Sequence, residues 1–292
     1  MPLRRGEALE LRVEQRSLDL QIELQAPEGG KILQVDSWSQ AWGTEFLCFV
    51  AEAEGDYRIQ LAPVGLAPLG GFTLRSSVTG AREEHRRCWE AAQATALAYR
   101  TALEPRPRAE ITEAFERAAQ LWRRRRNRYQ EALLYQRLAS LHQSRGDGAA
   151  MVRELERALN LFEGEDAARV EWCQVAAKLA EALFRRGQLE EAQALTDRGL
   201  EAALEDDQPA AEAFMRLGLG AVYQIKGEPY AAASELERAL EIFRGLGVVR
   251  AQTQVLVRQT TLYSEALNLF QEAIDSATLA HSLWAQQGGS TQ

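Results

Sequence analysis

The stretch "EEHRRCWEAA", 83–92, places His85 and Cys88 three residues apart. On a helix that spacing puts both side chains on one face. An imidazole there could take the thiol proton and leave a nucleophilic thiolate. The competing reading is a surface histidine beside a buried cysteine, because no third group nearby would orient the ring. A metal site needs three or four ligands at suitable spacing. The three histidines and the three cysteines (Cys48, Cys88 and Cys173) are scattered, so neither metal nor cofactor is expected. The chain has no Gly-x-Gly-x-x-Gly, phosphate-loop or Gly-x-Ser-x-Gly motif. The expectation is a chain without catalysis of its own.

Two other groupings could bind. "WRRRRNR", 122–128, holds Arg123, Arg124, Arg125 and Arg126. Such a run can take phosphate, a nucleic-acid backbone or an acidic peptide. It can equally end a helix, where cations oppose the negative end of the dipole and splay around the axis. "DSWSQAWGTE", 36–45, sets Trp38 and Trp42 in a stretch that reads as a loop. Exposed tryptophans would stack on a sugar or anchor a partner; otherwise one of them lids a core.

The totals narrow the classes. The 292 residues carry a net charge of -8, which argues against a uniformly basic nucleic-acid surface. An apolar content of 46% can build a core. Three widely spaced cysteines are no disulfide framework and suit a reducing compartment. No stretch has the length of a membrane span, and "MPLRRGEALELRVEQ" has charge without an apolar run behind it. A cytoplasmic protein that does not enter a membrane is expected. The strand pattern begins almost at once and the chain stops soon after "QQGGSTQ", which suggests a piece of something longer.

Two periods divide the elements that must position these residues. Up to about Val78 the apolar residues alternate, in "ALELRVEQ", "LDLQIELQ", "KILQVD", "EFLCFVAE", "DYRIQLAP" and "GFTLRSSV". Short strands with no helices between them form antiparallel sheets, and six suffice for a small β-sandwich over 1–80. From about Ala81 the period is helical, and 81–292 reads as all-α.

Within that second part "ELERALNLF", 154–162, nearly duplicates "ELERALEIF", 235–243. Equivalent positions fall at Phe115, Leu155, Thr196, Leu236 and Ala277, with spacings of 40, 41, 40 and 41. Each copy has a partner helix before it and a breaker between the two: "EPRPR", "RGD", "RGQ", "KGE" and Asn268. The unit is therefore helix–turn–helix, five times. Ala139, Ala180 and Gly220 recur in the first helices, and Ala158, Gly199, Ala239 and Ala280 in the second. Small residues mark where two helices approach most closely.

"RLGLGAVYQIKGEPYAAASELERAL" resembles a tetratricopeptide repeat, through Leu219, Gly220, Tyr223, Gly227, Ala232 and Ala239. In two other units His142 and Leu183 stand where the family has its aromatic residue. The first part, "VEQRSLDLQIELQAPEGGKILQVDS" with "GTEFLCFVAEAEGDYRIQLAP", is similar to the pre-peptidase-like β-sandwich. That module precedes such repeats in bacterial proteins ending in a CHAT domain, a caspase-like cysteine protease. No CHAT catalytic motif is present in these residues.

The first resemblance implies a superhelix with a concave groove lined by the first helix of each pair. The repeat register then points inward Gln136, Arg137, Ser140, Gln143, Gln174, Lys178, Glu181, Arg185, Gln224 and Arg258. Gln and Arg/Lys dominate that set, so an acidic peptide or protein segment is the expected ligand. The same residues could instead form no more than a solvated face. Two functions compete: a self-contained interaction scaffold, and the sensing part of a larger CHAT-type protease. Phosphate or nucleic-acid binding through Arg123–Arg126 stands behind both.

Overall fold

The computed structural model describes residues 1–16, 18–35, 42–64, 70–165 and 168–286. All strand pairings are antiparallel. The six alternating runs appear as β2 (Glu7–Arg16), β3 (Leu20–Gln25), β4 (Lys31–Val35), β5 (Trp42–Val50), β7 (Arg58–Pro63) and β8 (Gly71–Gly80). Two-residue strands β1 (Pro2–Leu3) and β6 (Gly55–Asp56), which the alternation did not reveal, pair with each other. Two three-stranded sheets form, in the orders β5-β2-β8 and β4-β3-β7.

Alternation sets the buried face of each sheet. Leu9, Leu11 and Val13 of β2 are buried, as are Leu20, Ile22 and Leu24 of β3. Among the described residues, what forms is a set of small, separate sheets. The edge strand β8 leaves part of its apolar face open to water. Phe72, Leu74 and Val78 share the face of Leu9 and Val13 by register, yet remain 45%, 48% and 41% exposed.

Among the described residues ten α-helices follow in pairs: α1 (Glu83–Leu103) with α2 (Arg108–Arg124), α3 (Arg128–Ser144) with α4 (Gly148–Phe162), and α5 (Arg169–Arg185) with α6 (Leu189–Glu205). Then come α7 (Pro209–Lys226) with α8 (Pro229–Gly245) and α9 (Val249–Thr261) with α10 (Phe270–Gln286). The turns inside the pairs are made as the breakers foretell. Gly146, Gly187 and Gly227 have φ of 72°, 78° and 79°, and Asn268 reaches 55°. These left-handed residues end a helix at little cost only where the side chain is absent or short and polar. One feature escaped the sequence reading: Leu262–Leu267 winds as a π-helix between α9 and Asn268.

The recurring small residues lie where helices touch. Ala139, Ala158, Ala180, Ala239 and Ala280 are all buried. A Cβ on Gly220 would stand 2.8 Å from Leu236, and one on Gly199 2.7 Å from Met215 Sδ.

The described chain forms two compact units, Met1–Val64 with Gly71–Glu165, and the helices from α5 to α10. In the first, α1 lies on β5, with Trp89 edge-on to Phe49 at 5.1 Å. Trp122 of α2 meets Phe46 at 6.1 Å, and the Thr44 amide donates to Tyr129 Oη of α3 at 3.0 Å. In the second unit, Phe214 of α7 packs against Phe243 of α8 at 4.9 Å.

His142, in an aromatic position of the repeat, is buried, with its Nδ1 2.9 Å from Arg108 Nη2. Burial, then the charges of Arg108, Arg153 and Arg145, lower its pKa below the ordinary 6.5. The unfolded chain therefore takes up a proton near pH 6.5 that the folded imidazole refuses. Stability from this residue is complete above that pH and is lost as pH falls through and below it. Urea midpoints at pH 8 and pH 5.5 should differ more for the wild type than for His142→Gln. An equal drop in both proteins would refute the assignment.

Candidate functional site

α5 is covered along most of its length. Solvent reaches only Arg169, Lys178, Glu181 and Arg185. The last three fall at i, i+3 and i+7, one stripe of a helix, with the buried Gln174 one turn before them. The three line up, and Glu181 is tied to two arginines. Glu181 Oε1 accepts from Arg185 Nη2 at 2.9 Å, and Glu181 Oε2 accepts from Arg258 Nη2 of α9 at 2.9 Å. Gln224 of α7 is half-buried.

One carboxylate thus holds two guanidiniums. Each guanidinium has five N–H donors and commits only part of them here. Lys178, Arg185 and Arg258 against Glu181 leave a net charge of +2 on the stripe. The excess is smaller than a count of the basic residues suggests. What it gains is order, since arginines fixed beforehand lose less entropy when they meet an anion.

The other four groove residues belong to the first compact unit. Gln136 is buried, and its carbonyl accepts from Ser140 Oγ at 3.2 Å. Arg137 is half-buried and Gln143 is exposed.

The arginine run divides. Arg125 donates to the Glu84 carbonyl in the first turn of α1 and lies 4.0 Å from Glu10 of β2. Arg124 is exposed, and Arg126 takes a left-handed φ of 57° just past the end of α2. Arg123 donates to the buried Glu131 at 2.8 Å and to Tyr135 Oη at 3.0 Å. Arg157 of α4 joins from outside the run, donating to Glu116 at 2.7 Å and to Glu154 at 3.0 Å. Its guanidinium stands 5.1 Å over the Tyr135 ring. Arg128 donates to the Asn160 carbonyl at 2.8 Å, near the end of α4. Together Arg123, Arg126, Arg128 and Arg157 line a cleft of about 570 Å³ with the acid Glu131 and with Tyr135, Asn160 and Leu161. The run of like letters signalled only part of this cleft. Arg157 and the buried acids come from a later helix turn and could not be matched to it from the sequence.

Trp38 lies outside the described residues. Trp42 begins β5, opposite Arg16, and is half-buried. His85 and Cys88 are both buried. The His85 Nδ1 accepts the Arg82 amide at 3.0 Å, which engages the nitrogen a base would need. Cys173 is buried too, and burial pushes its thiol pKa up to about 12. That removes it as a nucleophile near neutral pH.

No family model matches the chain, and no curated protein matches it. Among solved structures it is similar to aspartyl phosphate phosphatase F from Bacillus subtilis, at 12% identity and a TM-score of 0.54. The match takes in 71% of this chain and 54% of that one, so the chain spans about half the length of that structure. It is also similar to a Rap protein complexed with competence and sporulation factor, at 16% identity and a TM-score of 0.49, over 69% of this chain and 54% of the other. BtubC from P. vanneervenii aligns at 19% identity and a TM-score of 0.42, over 73% of this chain and 95% of that one. The first likeness is one of fold: α-helical repeats. It lends no support to the CHAT-associated arrangement.

Proposed function

We propose that this chain is a protein-interaction scaffold that binds an acidic peptide segment on the stripe formed by Gln174, Lys178, Glu181, Arg185, Gln224 and Arg258. The ordered charge row on α5 carries the reading. Apart from Arg169 near its start, α5 shows solvent only Lys178, Glu181 and Arg185, and Glu181 holds Arg185 together with Arg258 of α9. Gln136, Arg137, Ser140 and Gln143 are assigned the same role on the first helical unit. The strands over 1–80 are taken as a sandwich, its two three-stranded sheets facing each other, packed with α1–α4 in the first compact unit, and 81–292 as about five helix pairs. Catalysis is not part of the proposal.

The arginine cleft supports a second reading, binding of phosphate or of a phosphate backbone, because four guanidiniums converge on it. One comparison separates the two. A fluorescent glutamate-rich dodecapeptide is titrated by anisotropy against the wild type, Lys178→Glu/Arg185→Glu, and Arg126→Glu/Arg157→Glu. Two lost contacts of about 0.5–1 kcal/mol each amount to a loss of roughly tenfold. The stripe variant should show that loss, with affinity falling as salt rises. If only the cleft variant weakens, the stripe reading is wrong and the arginine cleft is the anion-binding site.

A further inference from the structure

The first compact unit holds a ligand cluster that no sequence spacing announces. Glu10 of β2 and Cys48 of β5 are direct cross-strand partners. Their side chains therefore leave the sheet on the same face. α1 covers β5, and it brings Cys88 onto that face. One carboxylate oxygen of Glu10 and the two sulfurs all lie within 4.8 Å of one another. Both cysteines are fully buried, while Glu10 is 34% exposed at its side chain. The cluster thus has a closed sulfur floor and one open, acidic rim.

We propose that Cys48, Cys88 and Glu10 form a binding site for a thiophilic divalent cation of the zinc type, with one coordination position left to water. The donor set decides the class of ion. Two thiolates with a carboxylate suit zinc, whereas calcium and magnesium call for oxygen ligands alone. The geometry needs only small shifts. Zinc–sulfur bonds of about 2.3 Å in a tetrahedron set the two sulfurs roughly 3.8 Å apart. The charges close as well. A divalent cation with two thiolates and one carboxylate is a unit negative charge, and the Arg125 Nη2 stands 4.0 Å from Glu10 to meet it. On binding, each thiol gives its proton to solvent and each sulfur donates an electron pair to the metal; nothing is oxidised. The Cys48 Sγ contact to the His85 carbonyl, 3.6 Å long, would be given up.

The site is independent of peptide binding, and its test does not use the peptide. Fully reduced, chelator-treated protein is titrated with cobalt(II) under anaerobic conditions, then with zinc. One cobalt per chain should bind, with the near-ultraviolet absorption of thiolate-to-cobalt charge transfer, and zinc should bleach it. Cys88→Ser should lose that absorption, and Cys173→Ser, altered in the other compact unit, should keep it. Because a buried serine could unfold the region, Glu10→Gln is the second variant. It should keep its far-ultraviolet circular dichroism and its sulfur absorption, and bind cobalt at least about tenfold more weakly. Absence of the absorption in reduced wild type, or its persistence in Cys88→Ser, overturns the site. So does a Cys48–Cys88 disulfide that forms in air when the reduced protein takes up no metal.

Discussion

Gly218→Leu is expected to unfold the second helical unit at a much lower urea concentration than the wild type, with a loss of about 3 kcal/mol. A Cβ at position 218 would stand 2.7 Å from the Cβ of Ala177 and 3.0 Å from its Cα. Those are atoms of the α5 backbone and its first side-chain carbon, and neither can rotate away. α5 and α7 would have to separate, which opens the close contact between Gly218 and Ala177. Overpacking a tight core costs about 1–3 kcal/mol, and more when the backbone must move. Leucine favours a helix over glycine by up to about 1 kcal/mol, which offsets only part of this.

Gly220→Ala is the informative control. Its new Cβ would meet Leu236 Cγ and Cδ2 at 2.8 Å, atoms of a buried side chain and not of backbone. The propensity gain of about 1 kcal/mol offsets part of that contact, and the midpoint should fall much less than in Gly218→Leu. Equal midpoints for Gly218→Leu and the wild type would mean that α5 and α7 do not meet at this glycine.

The second large effect is an asymmetry. Arg123→Met should destabilise the first unit by about 2–3 kcal/mol, whereas Glu131→Gln should cost about 1 kcal/mol or less. Both changes break the same pair, with Arg123 Nη2 and Glu131 Oε1 2.7 Å apart. The partners differ in burial, 61% exposed for the arginine side chain against 4% for the carboxylate. Removing the arginine strands a carboxylate away from water, and breaking a buried pair in that direction is the costly one. Removing the acid releases an arginine that water can solvate, while glutamine keeps the shape and one acceptor. Methionine preserves most of the apolar stem of Arg123, so lost packing does not account for the difference. Urea unfolding of both variants beside the wild type measures it. Equal losses would show that Glu131 is not isolated from solvent when Arg123 is gone.

The repeat was legible because it is a local and recurring pattern. Helix pairs, their turns and the small contact residues follow from spacing within about 40 residues. Gly146, Gly187, Gly227 and Asn268 all take the left-handed conformation that their positions in the period require. Gly218 was not legible in the same way. Gly220 recurs with Ala139 and Ala180, but Gly218 touches Ala177 of the preceding pair, and one contact between pairs leaves no period to read. The π-helix before Asn268 is a local rearrangement of hydrogen bonds, and nothing in the apolar spacing of "LYSEAL" marks it.

The sites divide along the same line. The sequence alone determined that the chain has strands and then paired helices, and which residues fall on the stripe of α5, because helical period ties each position to a face. Only the tertiary structure decided that Arg258 and Arg185 share Glu181, across 77 residues in the case of Arg258. It also decided that Arg125 leaves the run for Glu10, and that Arg157 enters the cleft in its place. Glu10, Cys48 and Cys88 meet for the same reason. Strand register and the packing of α1 on β5 bring them within 4.8 Å. Register and packing are set by burial summed over whole faces, and no short stretch of sequence carries that sum.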